Sequence, residues 1–175
     1  MAINRRKILF TLGAITTIAT TGTWYWRNRW RYIVVHHSAG DYGSIQFLQQ
    51  VHRQRQAKDP IDAIPYHFII GNGNGLGMGE IASDWRQHNN LWGSHVSGNN
   101  WQRNWQGLGI CLIGNFELHA VPPLQYRALV RLTKLLMQRY NISPKNVGCH
   151  GHIQGESTLC PGRYFPIEDF LQAIA

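Results

Sequence analysis

The chain has 175 residues, of which 43% are hydrophobic and 15% charged, so it is long enough for one domain with a substantial core and too apolar to be disordered. Its net charge of +8 is unevenly distributed. Residues 1–31 hold six of the 17 Lys and Arg and no acid, whereas the other 11 are nearly balanced by nine Asp and Glu. Without a basic stripe on the folded part, we expect the protein to bind no nucleic acid.

Residues 1–30 are typical of an export signal or membrane anchor. The basic run Arg5-Arg6-Lys7 precedes an uncharged run from Ile8 to Trp26, and this order directs a segment into or across a membrane. Arg5 and Arg6 also resemble a twin-arginine export signal. No small-x-small cleavage site stands out, and Trp24 and Trp30 suit a membrane interface. We expect export to the periplasm or cell envelope, with an uncleaved anchor in the inner membrane favoured over a removed signal.

The rest of the chain, residues 31–175, predicts a single domain that alternates strands and helices. In chain order the predicted elements are a strand at 32–36, a helix at 44–56, a strand at 66–70 that turns at 71–75 and returns at 76–81, a strand at 108–113, a long helix at 124–140, a strand at 147–150 and a last helix at 167–174. The predicted core stripe of the long helix consists of Leu124, Ala128, Leu132 and Leu135.

Residues 83–105 have no periodic pattern and predict a long polar loop. The loop contains four Trp, five Asn, His88 and His95. A loop of this length in a compact domain is usually functional. An indole stacks on a sugar ring and an amide pairs with hydroxyl groups, so the loop suits contacts with sugars and peptides. The alternative is that the tryptophans only anchor the loop.

Imidazole and thiol groups, the ligands that zinc prefers, are concentrated in the Gly- and Pro-containing loop after the fourth predicted strand. His150, His152 and Cys160 lie there, and His36 ends the first strand, where a rigid backbone fixes the side chain. A set of three ligands, with His36 as the third, leaves a position open for water, as in catalytic zinc sites. A fourth ligand from His37 or His150 would instead close a structural site.

The three cysteines of the chain are too few for a disulfide scaffold. Cys111 lies in an apolar run that predicts a buried strand, where a buried thiol is the ordinary interpretation. A bridge between Cys111 and Cys149 is the alternative in an oxidising compartment.

Five motifs occur in a fixed order along the domain: Val35-His36-His37-Ser38-Ala39, Pro65-Tyr66-His67-Phe68, Trp92-Gly93-Ser94-His95, Gly109-Ile110-Cys111-Leu112-Ile113-Gly114-Asn115-Phe116, and His152 followed at a distance of eight residues by Cys160-Pro161-Gly162. In this order they resemble the zinc-dependent type 2 N-acetylmuramoyl-L-alanine amidases, which share a fold with the phage lysozyme-named amidases and the animal peptidoglycan recognition proteins. The resemblance covers about residues 31–172 and implies an α/β fold with a central mixed sheet flanked by helices.

The resemblance also implies the zinc ligands. His36, His152 and Cys160 match the family's ligand positions and would hold one zinc ion. His150 falls outside the family's spacing and is interpreted as a neighbour of the site.

Further roles follow from the same resemblance. Tyr66 aligns with the catalytic tyrosine, and Thr158 with a position that carries Lys or Thr in other members. His95 and Asn104 match positions at the substrate groove, and His37 is assigned to substrate binding with them.

The implied activity is hydrolysis of the amide bond between N-acetylmuramic acid and L-alanine in peptidoglycan, by a protein expected to be a monomer. Some relatives place a Glu base where this chain has Cys111, so the proton donor to the leaving amine is unassigned. The alternative is a peptidoglycan-binding module with a structural metal and no catalysis. Such members typically lose the Cys ligand, and the Cys160 of this chain therefore favours an enzyme.

Overall fold

The computed structural model describes residues 21–175, so most of the predicted export segment, including Arg5 and Arg6, lies outside the described residues. Within the described part, no helix is long and apolar enough to span a membrane. Residues 21–27 are helical.

The chain enters the packed domain through Arg29 and Trp30. Trp30 is 1% exposed and belongs to the main core, so its predicted place at a membrane interface is wrong. The Arg29 guanidinium lies 4.0 Å from the ring centroids of both Trp26 and Trp30 and donates hydrogen bonds to three backbone carbonyls. These cation–π contacts and hydrogen bonds compensate the burial of its charge.

The described strands form one five-stranded sheet. Their bounds are β1 Tyr32–His37, β2 Phe68–Ile70, β3 Ile81–Ser83, β4 Gly107–Leu112 and β5 Val147–Cys149. The strand order is β3-β2-β4-β1-β5, with β2 and β3 antiparallel and the other neighbours parallel. The predicted central mixed sheet is confirmed, and β1 and β4, which supply His36 and Cys111 opposite each other, lie at its centre.

The helices are α1 Ile45–Arg55, α2 Trp85–His88, α3 Trp101–Gln106, α4 Pro123–Tyr140 and α5 Ile167–Ile174. Short 3₁₀ turns occupy Gly98–Asn100, Pro144–Asn146 and His150–His152. Ser44 caps α1, because its hydroxyl accepts the backbone N–H of Phe47 at 3.2 Å. The long polar loop predicted at 83–105 is not wholly irregular, since α2, a 3₁₀ turn and α3 lie within it.

The sheet separates two cores. On one face α4 and α5 cover the larger core, which includes Ile33, Val35 and Trp30. On the other face a smaller core joins Leu48 of α1 to Cys111 and its neighbours. Side chains alternate between the faces of a strand, so His36 lies on the α1 side.

The buried face of α4 differs from the predicted stripe. Leu124 and Leu135 are 53% and 57% exposed. The buried residues of this helix are Gln125, Ala128, Leu129, Leu132, Thr133 and Leu136. The Gln125 amide donates to the carbonyls of Ile70 and Ile113 at 2.9 and 2.8 Å. This polar residue, which an apolar pattern does not identify, therefore lies on the face of the helix that packs against the sheet.

Candidate metal centre

Three side chains with metal-ligating atoms meet at one edge of the sheet. The Nδ1 atoms of His36 and His150 are 3.2 Å apart, and the Sγ of Cys160 lies 3.8 Å from His36 Nδ1. All three ligand atoms lie within 4.8 Å of one another. They form the one group of this kind found among residues 21–175. His36 ends β1, and His150 directly follows β5.

The expected ligand set is corrected in one member, because His150 and not His152 joins the cluster. The reason is the register of the parallel strands β1 and β5, in which Val35 pairs with Cys149. The next residue of each strand, His36 and His150, therefore lies at the same edge. The 3₁₀ turn that follows carries His152 to an exposed position. The family's eight-residue spacing predicted His152, but the strand register places His150 in the cluster instead.

The second nitrogen of each histidine ring has its own partner. His150 Nε2 lies 2.9 Å from a carboxylate oxygen of Glu156, and His36 Nε2 lies 3.3 Å from Nδ1 of His95. Partners of this kind orient ligand histidines and select their tautomer. The Sγ of Cys160 accepts the backbone N–H of His37 at 3.4 Å. The Nδ1 atoms of His36 and His150 and the Sγ of Cys160 therefore face one another.

Burial shapes the protonation of the cluster. It lowers the pKa of His36 well below its usual value, and the neighbouring His95 and His150 lower it further. It raises the pKa of the Cys160 thiol to about 12, against the opposing effect of the His37 N–H. Two imidazoles and a thiol that converge in a buried place suit a cation that binds N and S donors, so the residues present fit zinc.

Tyr66 lies beside the cluster. Its ring centroid is 5.0 Å from that of His36. Together with Val51, Arg55 and other residues of α1 and the strand ends, it lines a cavity of about 100 Å³. Burial raises the pKa of its phenol well above the usual value, and Cys111 and Cys160 raise it further. Tyr66 therefore keeps its proton at neutral pH.

Three other predicted residues have structural bonds near the cluster. The Asn104 amide oxygen accepts the backbone N–H of His95 and Val96 at 2.9 and 3.1 Å, so it shapes the loop that carries His95. His95 is 5% exposed, and His37 Nδ1 accepts the N–H of Phe116 at 3.2 Å. The predicted contacts of Asn104, His95 and His37 with a substrate stay predictions.

Thr158 is exposed on the loop that leads to the third ligand. Its hydroxyl oxygen accepts the backbone N–H of Cys160 at 3.2 Å, so it shapes the turn from which the thiol points inward. The three cysteines are free, and the alternative bridge between Cys111 and Cys149 is not formed.

Sequence reasoning missed Glu156. Its side chain is 4% exposed, and its carboxylate accepts hydrogen bonds from His150, Ser97 and Asn100. Burial by itself would raise the pKa of Glu156, but these hydrogen bonds outweigh it and hold the pKa below the usual value. The available signal was a single acid between the histidines and the cysteine of one loop.

Comparisons with known proteins agree with the fold of the chain. The chain matches the family model for N-acetylmuramoyl-L-alanine amidase (Amidase_2) over residues 26–163. A peptidoglycan-recognition protein of Drosophila simulans is 30% identical over 146 residues, which are 77% of this chain and 69% of that protein. Among solved structures, the N-acetylmuramoyl-L-alanine amidase LysC from Clostridium intestinale is similar with a TM-score of 0.66 at 30% identity, covering 83% of this chain and 85% of the other. Drosophila peptidoglycan recognition protein SA shares the fold, with a TM-score of 0.57 at 24% identity over 79% of this chain and 76% of that one.

Proposed function

Because this chain belongs to the N-acetylmuramoyl-L-alanine amidase family, we propose that it is a zinc-dependent amidase that cleaves the bond between N-acetylmuramic acid and L-alanine in peptidoglycan. The observation that carries the proposal is the cluster of His36, His150 and Cys160, whose ligand atoms converge within 4.8 Å. Three protein ligands are typical of a catalytic zinc site, in which a fourth position stays open.

His36 and His150 would hold the ion through their Nδ1 atoms and Cys160 through its Sγ, since these are the atoms that converge. Zinc in such a site lowers the pKa of a water molecule and polarises a carbonyl group. The buried His95 supports the far side of the His36 ring and so fixes the direction of its Nδ1 atom.

Tyr66 is the residue of this chain best placed to assist the reaction. It lies next to His36 at the wall of a cavity and keeps its phenolic proton. An O–H donor in this place can stabilise the negative charge that develops on the oxygen of the attacked carbonyl. Thr158 uses a lone pair for Cys160, so its hydroxyl proton is free to donate to a substrate from the rim.

A peptidoglycan-binding module without catalysis is the second candidate. The recognition protein among the relatives motivates it, and so does Cys111, which stands where some amidases carry a Glu base. The metal cluster within residues 21–175 includes no carboxylate. Retention of the Cys160 thiol favours the enzyme.

The proposed substrate lies outside the cytoplasm. We therefore extend the proposal to export, by the twin-arginine route or another, with attachment to the inner membrane through residues 1–30. This part rests on the basic run before the uncharged segment.

The test uses the full chain, purified in detergent and incubated with isolated peptidoglycan. We expect new amino termini on L-alanine with intact glycan strands in mass analysis, loss of this product after chelation and its return with zinc. Cys160→Ser should lose both zinc and product. Tyr66→Phe should keep zinc while kcat falls by about 100-fold, as for other lost oxyanion donors.

Two results would overturn the amidase proposal. New reducing sugar ends would identify a glycosidase. Co-sedimentation of the zinc-loaded protein with peptidoglycan, without any released product, would identify the binding module.

A further inference from the structure

We propose that Glu156 is a positioning residue that fixes the tautomer of His150 and ties the loop of the metal ligands to the turn at Gly98–Asn100. The inference rests on the proposed function to the extent that His150 is taken as a zinc ligand. The motifs of the family resemblance do not include Glu156.

Only one of the two carboxylate oxygens faces His150. Oε2 lies 2.9 Å from Nε2 of His150 and also accepts the Ser97 backbone N–H at 3.2 Å. Oε1 accepts hydrogen bonds from the Ser97 hydroxyl and the Asn100 amide, both at 2.7 Å, and from the Ser97 backbone N–H at 3.1 Å. The side chain is 4% exposed, so solvent contributes little to these bonds.

This arrangement determines where the proton of His150 lies. An ionised carboxylate can only accept, so a neutral His150 that pairs with Glu156 must carry its proton on Nε2. The lone pair of Nδ1 is then free, and Nδ1 is the atom that faces His36 and Cys160. In the other tautomer an N–H group would point at the place of the cation and prevent coordination.

The same carboxylate joins two loops at the rim of the site. Asn100 also donates to the carbonyl of Gln154, at 3.1 Å, so the turn and the ligand loop meet at two points. The turn begins three residues after His95 in the chain and leads directly into α3, which begins with Trp101, 58% exposed. Glu156 thus links the orientation of a metal ligand to the segment that carries an exposed aromatic side chain.

The decisive variant is Glu156→Gln, which keeps the size of the side chain. Three donors surround Oε1, so the amide oxygen will occupy that side and the NH₂ group will face His150. His150 can pair with this group only as an acceptor, with its proton moved to Nδ1. We expect zinc affinity to fall by about 10- to 100-fold, the range found when partners of ligand histidines are removed.

Two readouts measure the effect without using activity. Competition with a chromophoric chelator gives the zinc dissociation constant. The ¹⁵N chemical shifts of the histidine ring in the metal-free protein give the tautomer of His150. The matched control is Ser97→Ala, which removes one donor from Oε1 and leaves the bond to His150. It should keep the Nε2–H tautomer and lose less zinc affinity than Glu156→Gln.

The tautomer of His150 in the wild-type protein tests the inference by itself, so the test does not depend on whether the variant folds. An Nδ1–H tautomer of His150 in the metal-free wild type would overturn it, as would wild-type zinc affinity in folded Glu156→Gln. Failure of the amidase proposal looks different: the wild type then binds zinc with the Nε2–H tautomer of His150 and releases no L-alanine termini.

Discussion

Acidification should destabilise the metal-free protein through His67, which the fold holds neutral. Its Nδ1 accepts the N–H of Gly109 at 3.0 Å, and its Nε2 donates to the carbonyl of Leu91 at 2.9 Å. Burial lowers the pKa of His67 to about 3, with Arg86 and Arg29 lowering it further against the effect of the Leu91 carbonyl. A protonated ring would lose the hydrogen bond from Gly109.

The pKa difference of His67 between the folded and unfolded chain sets the direction and the size of the change in the free energy of unfolding. The pKa of His67 is lower in the folded than in the unfolded chain, so its contribution is present above about pH 6.5 and is lost as the pH falls toward 3. Between about pH 7.5 and about pH 5.5, a shift from 6.5 to about 3 removes about 1.4 kcal/mol from the free energy of unfolding. His36 and His95, whose pKa values burial also lowers, add to the decrease in the wild type.

The assay is urea unfolding in the presence of a chelator at both pH values. In His67→Asn the difference between the two free energies should be smaller than in wild type by about 1.4 kcal/mol. Trp30→Phe is the control, because the Trp30 ring packs edge-on against His67 with a centroid distance of 4.8 Å. It should lower stability at both pH values and leave the pH difference intact. Equal pH differences in His67→Asn and wild type would refute the reasoning.

Two further predictions test the corrections described above. His150→Ala should lose zinc and His152→Ala should keep it, since only His150 faces the other ligands. Metal analysis after gel filtration measures the zinc bound per chain. Equal zinc loss in both variants would contradict the assignment of His150. Leu136→Ala, at a position 6% exposed, should cost about 2–5 kcal/mol of unfolding free energy, whereas Leu135→Ala, at a position 57% exposed, should change it by less than about 0.5 kcal/mol. A larger loss of unfolding free energy in Leu135→Ala than in Leu136→Ala, measured by urea titration, would support the core stripe predicted from the sequence.

Most of the regular architecture was predictable, because its signals are local. The last helix, Ile167–Ile174, has its predicted bounds, and α1 begins after the capping Ser44. The apolar, β-branched runs identified the central strands of the sheet. The short α2 and α3 were missed, because four to six residues are too few to display a helical period.

The errors at the site and in α4 have a common origin in tertiary contacts. The pairing of Val35 with Cys149 selects His150 over His152, and no spacing within the loop records this register. Gln125 is buried because two strand carbonyls accept its amide, which hydrophobic periodicity cannot indicate. The other two residues named from the family spacing, His36 and Cys160, lie in the cluster, and their role as zinc ligands stays a prediction.

The cluster unites distant parts of the chain, since His36 lies 114 positions before His150 and 124 positions before Cys160 in the sequence. A cation bound by all three would therefore hold the first and last strands together in the folded protein, and its binding energy would add to the stability of the fold. Binding to the folded state alone adds about 2.7 kcal/mol of stability when the free ion is at 100 times its dissociation constant. Resistance to proteolysis and thermal unfolding would then follow the supply of the ion, and a shortage of the ion would lower the amount of folded protein.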